Sequence, residues 1–466
     1  MSMTSMTFLF LFLPVSLAVY HLAGDSKKEY VLLAVSLLFY SFCSLEYILL
    51  FCGAIAVTVV TGRILHRVKK QALKRCLLIF GIAVNAGLLI YYKYSDFALS
   101  TWSSLTSAEV RLTGLVLPLG ISFFTFKAIS YLTDVYKGTA VLTKNPVHDA
   151  LYLSFFPQVQ SGPLSRYNDL SGFQPGLFAD GVFRFLAGFS KKILIADVLS
   201  KVTAEVFAAP AGDSSMLYAW LGSVCYSLQL LFDFAGYSDM AVGVSEMFGF
   251  RCMENFNYPY MTESVSRFWR RWHISLGQWF RDYIYIPMGG SRNEKKWWVY
   301  FNLLVVWLLT GIWHGASWNF VVWGLGYFAV IAFERLTGLP GRIRRKWGKA
   351  LYRVLTLLFI NFQWVLFNTK DLPSGLAYIG RMVIPNPNAL ADARAAFLLK
   401  DYWFFILAAV LLCFPVVPWL DRKLKSKKAV HTLFEAAAAL ILAVSFVWSV
   451  SLVVAGLNNP FAYTNF

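Results

Sequence analysis

Long uncharged apolar runs, broken by short clusters of basic residues, dominate this chain. The runs cover Thr7–Ala23, Tyr47–Gly62, Cys76–Tyr92, Thr113–Tyr131, Met216–Phe232, Trp297–Trp313, Ser317–Phe333, Val354–Phe367, Tyr402–Leu420 and Ala436–Leu457. A helix needs roughly 20 apolar residues to cross the hydrocarbon core of a bilayer. The pattern therefore predicts an all-α, polytopic integral membrane protein with about ten to twelve transmembrane helices. Between Leu151 and Asp239 polar and charged residues interrupt the runs, and the number of crossings there stays open.

Composition agrees with this reading. Of 466 residues, 58% are hydrophobic and 14% charged, against about 25% charged in soluble domains. The 42 Lys and Arg exceed the 25 Asp and Glu, giving a formal net charge of +17. The excess sits in loops beside the runs, so it reads as membrane topology rather than as a nucleic-acid surface. Arg63, Arg67, Lys69, Lys70, Lys74 and Arg75 form one cluster, Arg342–Arg353 a second and Arg422–Lys428 a third. The positive-inside rule places all three in the cytoplasm. Counting spans from there puts both termini on the outer face. No Lys or Arg precedes the first run and no small-residue cleavage signature follows it, so it is expected to remain as the first span.

Six cysteines are scattered through apolar runs without a C-x-x-C pair, which suits core packing rather than a disulfide framework or a metal site. No repeat or low-complexity linker divides the chain. Residues 1–457 read as one membrane domain, followed by an exterior tail, residues 458–466, NNPFAYTNF. Phe461, Tyr463 and Phe466 in that tail suit either an interfacial anchor or a place where chemistry happens.

Familiar catalytic signatures are missing: no G-x-S-x-G, no H-E-x-x-H and no phosphate-cradling loop. Histidine carries more information. The stretch 267–287, RFWRRWHISLGQWFRDYIYIP, predicts an amphipathic interfacial or re-entrant helix. Trp269, Trp272, His273, Leu276, Phe280 and Tyr283 share its apolar face; Arg270, Arg271, Gln278, Arg281 and Asp282 share the other. His273 there is either a packing residue or a site. His314 lies in GIWHGASWN, at the tip between two apolar runs, flanked by Gly311 and Gly315. An ionisable ring at membrane depth points to function, and desolvation would keep it neutral, as a general base requires. Asp233 and Asp239, in LFDFAGYSDMAVG, call for pairing with a buried cation or for a water-filled cavity. Gly162–Pro163 and Gly236 break helical regularity, which at membrane depth is tolerated only inside protein or along a passage.

Together, PLGISFFTF (118–126), FFPQ with SGPLSRY (155–167), DFAGYSDMA, FNYPY (256–260), RFWRRWHISLGQWFRDYIYIPMGG (267–290) and GIWHGASWNF (311–320) resemble the membrane-bound O-acyltransferase family. The likeness is to its bacterial polysaccharide branch, that of the alginate O-acetyltransferase membrane subunit. It implies a helical fold in the bacterial cytoplasmic membrane, with a central tunnel lined by spans, re-entrant and amphipathic helices. It also implies acyl transfer at the W-H-G histidine, His314, assisted by the W-H-I-S histidine, His273, which orients or polarises the acyl group. In the related D-alanylation of teichoic acids, a small subunit ends in a similar F-x-Y-x-x-F pattern whose tyrosine is thought to carry the acyl group. By that resemblance Tyr463 is an acyl carrier.

The reaction this implies moves an acetyl group from a cytoplasmic thioester to an exterior hydroxyl. Acetyl-CoA is the expected donor substrate, and no permanently bound cofactor or metal is expected. His273, Asn319 or the Trp313 indole would serve the developing oxyanion. Asp233, Asp239, Arg271 and Trp272 are further residues expected along the donor site or tunnel. Expected partners are a separate esterase-type acetyltransferase outside the membrane, through it a polysaccharide, and membrane lipids. Two other readings stay open: a D-alanyl or other acyl exporter fed by a carrier-protein thioester, and a transporter or lipid-linked-sugar flippase in which Asp233 and Asp239 carry the function.

Overall fold

The computed structural model describes residues 1–170, 174–209, 215–384 and 390–461, and these contain helices and connecting loops without a β-strand. The helices are α1 (Leu13–Leu22), α2 (Lys28–Cys43), α3 (Ile48–Arg67), α4 (Gln71–Thr106), α5 (Ile121–Lys137), α6 (Pro146–Ser154), α7 (Phe178–Ser190), α8 (Asp197–Ala208), α9 (Met216–Met247), α10 (Val265–Phe268), α11 (Ile274–Phe280), α12 (Lys296–His314), α13 (Trp318–Thr337), α14 (Leu339–Arg342), α15 (Lys346–Asn368), α16 (Leu372–Val383), α17 (Ala393–Leu412), α18 (Val416–Leu424) and α19 (Lys428–Val454). Among the described residues, seven helices are long and apolar enough to cross a membrane: α3 with its preceding turn, α4, α12, α13, α15, α17 and α19. Each coincides with one of the ten apolar runs. The first run forms the shorter apolar helix Phe8–Leu22. The run Met216–Phe232 opens α9, a helix of 32 residues that runs past both aspartates to Met247.

The described residues group into two compact units. The first comprises residues 1–185 and 238–253. In lipid, apolar side chains gain nothing by leaving the hydrocarbon, so helices associate through close packing of small residues and polar ties. Gly62 of α3 lies against the Tyr131 ring of α5, and Gly81 of α4 against Leu132, each so closely that a Cβ would clash. Asn85 Nδ2 donates to Thr58 Oγ1 at 3.0 Å, tying α4 to α3. The buried Asp149 carboxylate takes the Arg63 guanidinium and the hydroxyls of Tyr131 and Tyr167. Asp239 belongs to this unit and pairs with Arg184 of α7 at 3.1 Å.

The second unit comprises residues 186–237 and 254–461. Its centre is the hairpin of α12 and α13, where two glycines let the backbones touch. A Cβ on Gly311 would stand 2.4 Å from the Phe320 carbonyl oxygen, and one on Gly324 would stand 2.5 Å from that of Trp307. The close crossing fixes where the C-terminal end of α12 emerges, and His314 is its last residue. Outer surfaces, such as Leu440, Ile441 and Val447 of α19, leave apolar side chains exposed, which suits contact with acyl chains.

The stretch 267–287 corrects the sequence expectation of one amphipathic helix. It is broken into the end of α10, a turn, α11 and a π-helical turn at Arg281–Tyr285. Apolar spacing of 3.6 residues survives such a break, because each piece presents the same face to the core.

Candidate functional site

His273 stands at the break between α10 and α11 with φ +45°, in the left-handed region. A non-glycine residue there costs of order 1–3 kcal/mol and persists only where its surroundings enforce it. Asn255 does the enforcing. Its backbone carbonyl accepts from the Ile274 N–H at 3.0 Å. Its side-chain Oδ1 accepts from the Ser275 N–H at 3.2 Å and from Ser275 Oγ at 2.9 Å, and lies 3.2 Å from His273 Nδ1.

That arrangement settles the tautomer of His273. A backbone N–H can only donate, so the atom facing Ser275 is the amide oxygen, and His273 must present a proton on Nδ1. In the neutral ring Nε2 then carries the lone pair. Nε2 makes no hydrogen bond to a described residue, and the side chain is 1% exposed. Burial pushes the imidazole pKa down to about 3, so the ring is uncharged at neutral pH.

A second contact holds this region from α13. Glu334, 4% exposed, accepts the N–H groups of Val265 and Ser266 at 2.8 and 2.9 Å and the Tyr352 hydroxyl at 2.9 Å. A carboxylate on the first amides of α10 satisfies donors that a helix start leaves open.

Trp313 joins the two histidines. Its ring centre is 6.2 Å from that of His273 and 4.7 Å from that of His314. Trp323 and Phe367 complete the surroundings of His314 at 4.9 and 5.2 Å, and the side chain is 1% exposed. The Phe234 ring also meets the His273 imidazole, edge to face at 4.6 Å. Phe461 lies 6.0 Å from Phe234 and stacks on Tyr237 at 4.3 Å. Rings thus run from the C-terminal segment through Phe234 and His273 to Trp313 and His314. Tyr463 and Phe466 lie outside the described residues.

Two cavities adjoin these rings. One of about 490 Å³ is lined by His273, Trp269, Gln278, Arg270, Arg281 and Thr310, among others. A second, of about 710 Å³, shares Trp269, Arg270 and Arg281 with it and adds Arg267 and Arg335. Its wall also includes Gly338, Pro340 and Gly341, next to the Arg342–Arg353 cluster. Four guanidinium groups around one cavity suit a ligand bearing phosphates.

The remaining predicted residues separate into structural roles. Asn319 donates both amide protons to carbonyls, of Leu366 at 3.1 Å and Thr369 at 2.9 Å, and so fastens α13 to the end of α15. Trp272 is fully buried among Phe256, Phe268 and Trp364 and lines neither cavity. The Arg271 carbonyl accepts from the Asn257 N–H, and its guanidinium points toward the Tyr258 carbonyl. Asp233 pairs with the buried Lys192 at 2.8 Å. Asn255, Glu334 and Phe234 were not legible as site residues in the sequence. The one available signal was an acid, Glu334, just beyond an otherwise uncharged run.

The profile of the membrane-bound O-acyltransferase family matches residues 144–374, a range that holds both histidines. The "Probable alginate O-acetylase AlgI" of Pseudomonas aeruginosa is 40% identical over 391 residues, covering 80% of this chain and 73% of that protein. The peptidoglycan O-acetyltransferase of Helicobacter pylori is 34% identical, covering 81% and 78%. The teichoic acid D-alanyltransferase of Bacillus subtilis is 32% identical over a shorter stretch, 54% of this chain and 69% of that protein. The chain belongs to the membrane-bound O-acyltransferase family, and it is a multi-pass membrane O-acyltransferase.

Asn255 offers a test of the His273 assignment. Asn255→Asp keeps the acceptor toward Nδ1 but adds a negative charge, which favours the imidazolium and raises the His273 pKa. If Nε2 must stay unprotonated for transfer, activity in this variant will begin to fall at a higher pH than in the wild type as the medium is acidified. Asn255→Leu, which removes the acceptor, is expected to cost about tenfold or more in turnover at every pH. The pH profile of acyl transfer measures both, and profiles that superimpose would remove Asn255 from the site.

Proposed function

We propose that this chain takes an acetyl group from a cytoplasmic thioester, acetyl-CoA, and passes it to the outer face for O-acetylation of an extracytoplasmic polysaccharide. One observation carries the reading: an arginine-lined cavity shares its wall with the cavity that reaches His273, whose ring neighbours Trp313 and through it His314. The wide end of that route adjoins the Arg342–Arg353 cluster, which the positive-inside rule assigns to the cytoplasm. Arg267, Arg270, Arg281 and Arg335 would receive the donor's phosphates, and the thioester would extend toward the imidazoles. The relatives described as acting on alginate and peptidoglycan support a polysaccharide as final acceptor.

In the step itself, His314 removes the phenolic proton of Tyr463 as the oxygen attacks the thioester carbonyl. A phenol with a pKa near 10 needs such a base at neutral pH. Collapse of the tetrahedral intermediate breaks the carbon–sulfur bond, and the proton passes from the imidazolium to the departing thiolate. The resulting aryl ester is activated enough to hand its acetyl group to a serine of a separate exterior acetyltransferase. Among the oxyanion donors considered, Asn319 directs its amide protons elsewhere and His273 carries its proton on Nδ1, so Trp313 takes that role. His273 Nε2 accepts a hydrogen bond that orients the donor or the nucleophile.

The test is purified protein in vesicles given acetyl-CoA labelled in the acetyl group, followed by mass spectrometry of the C-terminal peptide. One added acetyl group on Tyr463, accumulating when no exterior acceptor is supplied, is the expected result. An unmodified tail during sustained turnover would reduce the tail to an interfacial anchor.

A further inference from the structure

Lys192, Asp197 and Asp233 form a buried ionic cluster that the chemistry above does not use. Lys192 Nζ bonds Asp197 Oδ1 and lies 2.8 Å from Asp233 Oδ1, and the three side chains are at most 4% exposed. Two carboxylates share one ammonium, so with all three ionised the cluster holds one negative charge in excess. A buried carboxylate oxygen demands a donor, and Asp197 Oδ2 receives one from far along the chain: the backbone N–H of Asn459, at 3.3 Å. The Asn459 side chain makes a second contact, Nδ2 donating to Ser200 Oγ at 2.6 Å, three residues after Asp197 on α8. Two residues further on, Phe461 is 6% exposed, stacked on Tyr237 and close to Phe234, the ring that meets His273.

We infer that Asp197 and Ser200 are a clamp for the C-terminal segment, catching Asn459 so that Phe461 docks beside the His273 cluster. Lys192 and Asp233 hold the Asp197 carboxylate in place, which makes them positioning residues. The clamp grips one backbone amide and one side chain, so it sets the position of the segment along its own length. Phe461, with an aromatic wall on two sides, sets its depth. A tail anchored only by aromatic rings at a lipid boundary would have no need of a buried acceptor for its backbone.

That the clamp serves acyl transfer rests on the proposed function; that it holds the segment does not. The test therefore reads both. Ser200→Ala with Asn459→Ala removes the side-chain half of the clamp without disturbing the ionic cluster. In the detergent-purified full chain, amides within 457–461 are expected to exchange with solvent deuterium about tenfold faster than in the wild type, with the amides of α8 unchanged. Acetyl transfer at saturating donor is expected to fall about tenfold with the donor KM unaltered. Ser200→Thr, which keeps the hydroxyl, is expected to behave as wild type in both readouts. Equal exchange of the segment in wild type and double variant would overturn the clamp. A released segment with undiminished transfer would overturn its role in positioning. If the wild-type protein transferred no acetyl group, the acyl-transfer reading would fail while the exchange data still decided the clamp.

Discussion

Replacing His314 with glutamine is expected to lower acetyl transfer by about 10²–10⁴-fold, the usual contribution of a positioned general base. Glutamine is preferable to alanine because the ring fills space among Trp313, Trp323 and Phe367. Truncation there would add a cavity among aromatic rings, and the loss of fold would confuse the loss of chemistry. The deficit should fall on turnover, with the donor KM little changed, because the arginine-lined cavity is untouched. Labelled acetyl-CoA in vesicles, read beside the amount of inserted protein, measures it. Transfer at the wild-type rate with normal insertion would end the assignment of His314 as the base. Asp233 and Asp239, the residues a transport reading would need, are each already paired with a basic side chain.

Tyr463→Phe is expected to abolish export of the acetyl group, by about 10²-fold or more, while leaving the membrane protein intact. The substitution removes one oxygen and keeps the ring. An interfacial anchor would tolerate it, since phenylalanine also partitions to an apolar boundary, whereas an acyl carrier would be left with only the far less acidic Thr464 hydroxyl within the F-x-Y-x-x-F pattern. Measuring acetate delivered to an exterior acceptor, together with donor hydrolysis, separates the two. A variant that still delivers at the wild-type rate would leave the tyrosine without a chemical role. Phe461, two residues earlier, is buried.

Much of the membrane architecture was legible because an uncharged run of sufficient length has few alternatives to a helix. The seven long apolar helices follow directly from that. Departures occur where a local backbone preference cut a run. In Thr113–Tyr131, helix α5 begins only at Ile121, after Pro118 and a left-handed Gly120 whose Cβ would stand 2.0 Å from the Val159 carbonyl oxygen. The run Tyr402–Leu420 stops at Leu412, before Pro415, because proline disfavours the helical conformation in the residue ahead of it. At the site, His273 and His314 stood out by residue type and surroundings. Their supports did not, because each arrives from elsewhere in the chain: Asn255 from 18 residues before His273, Glu334 from 69 residues after Val265, Asn459 from 262 residues after Asp197. Spacing within a single element carries no trace of such partners. The turn at His273 was hidden for a related reason, since what enforces its backbone conformation is a side chain outside the segment.

The grip of Glu334 on the start of α10 bears on how access to the reaction could be controlled. One transmembrane hairpin carries His314 at its tip and, through this carboxylate, holds the start of α10, eight residues before His273. Glu334 lies about 24 Å along α13 from the end that follows His314 in the chain, so a tilt of the hairpin would displace its two attachments unequally, and the separation of the two imidazoles would register the tilt.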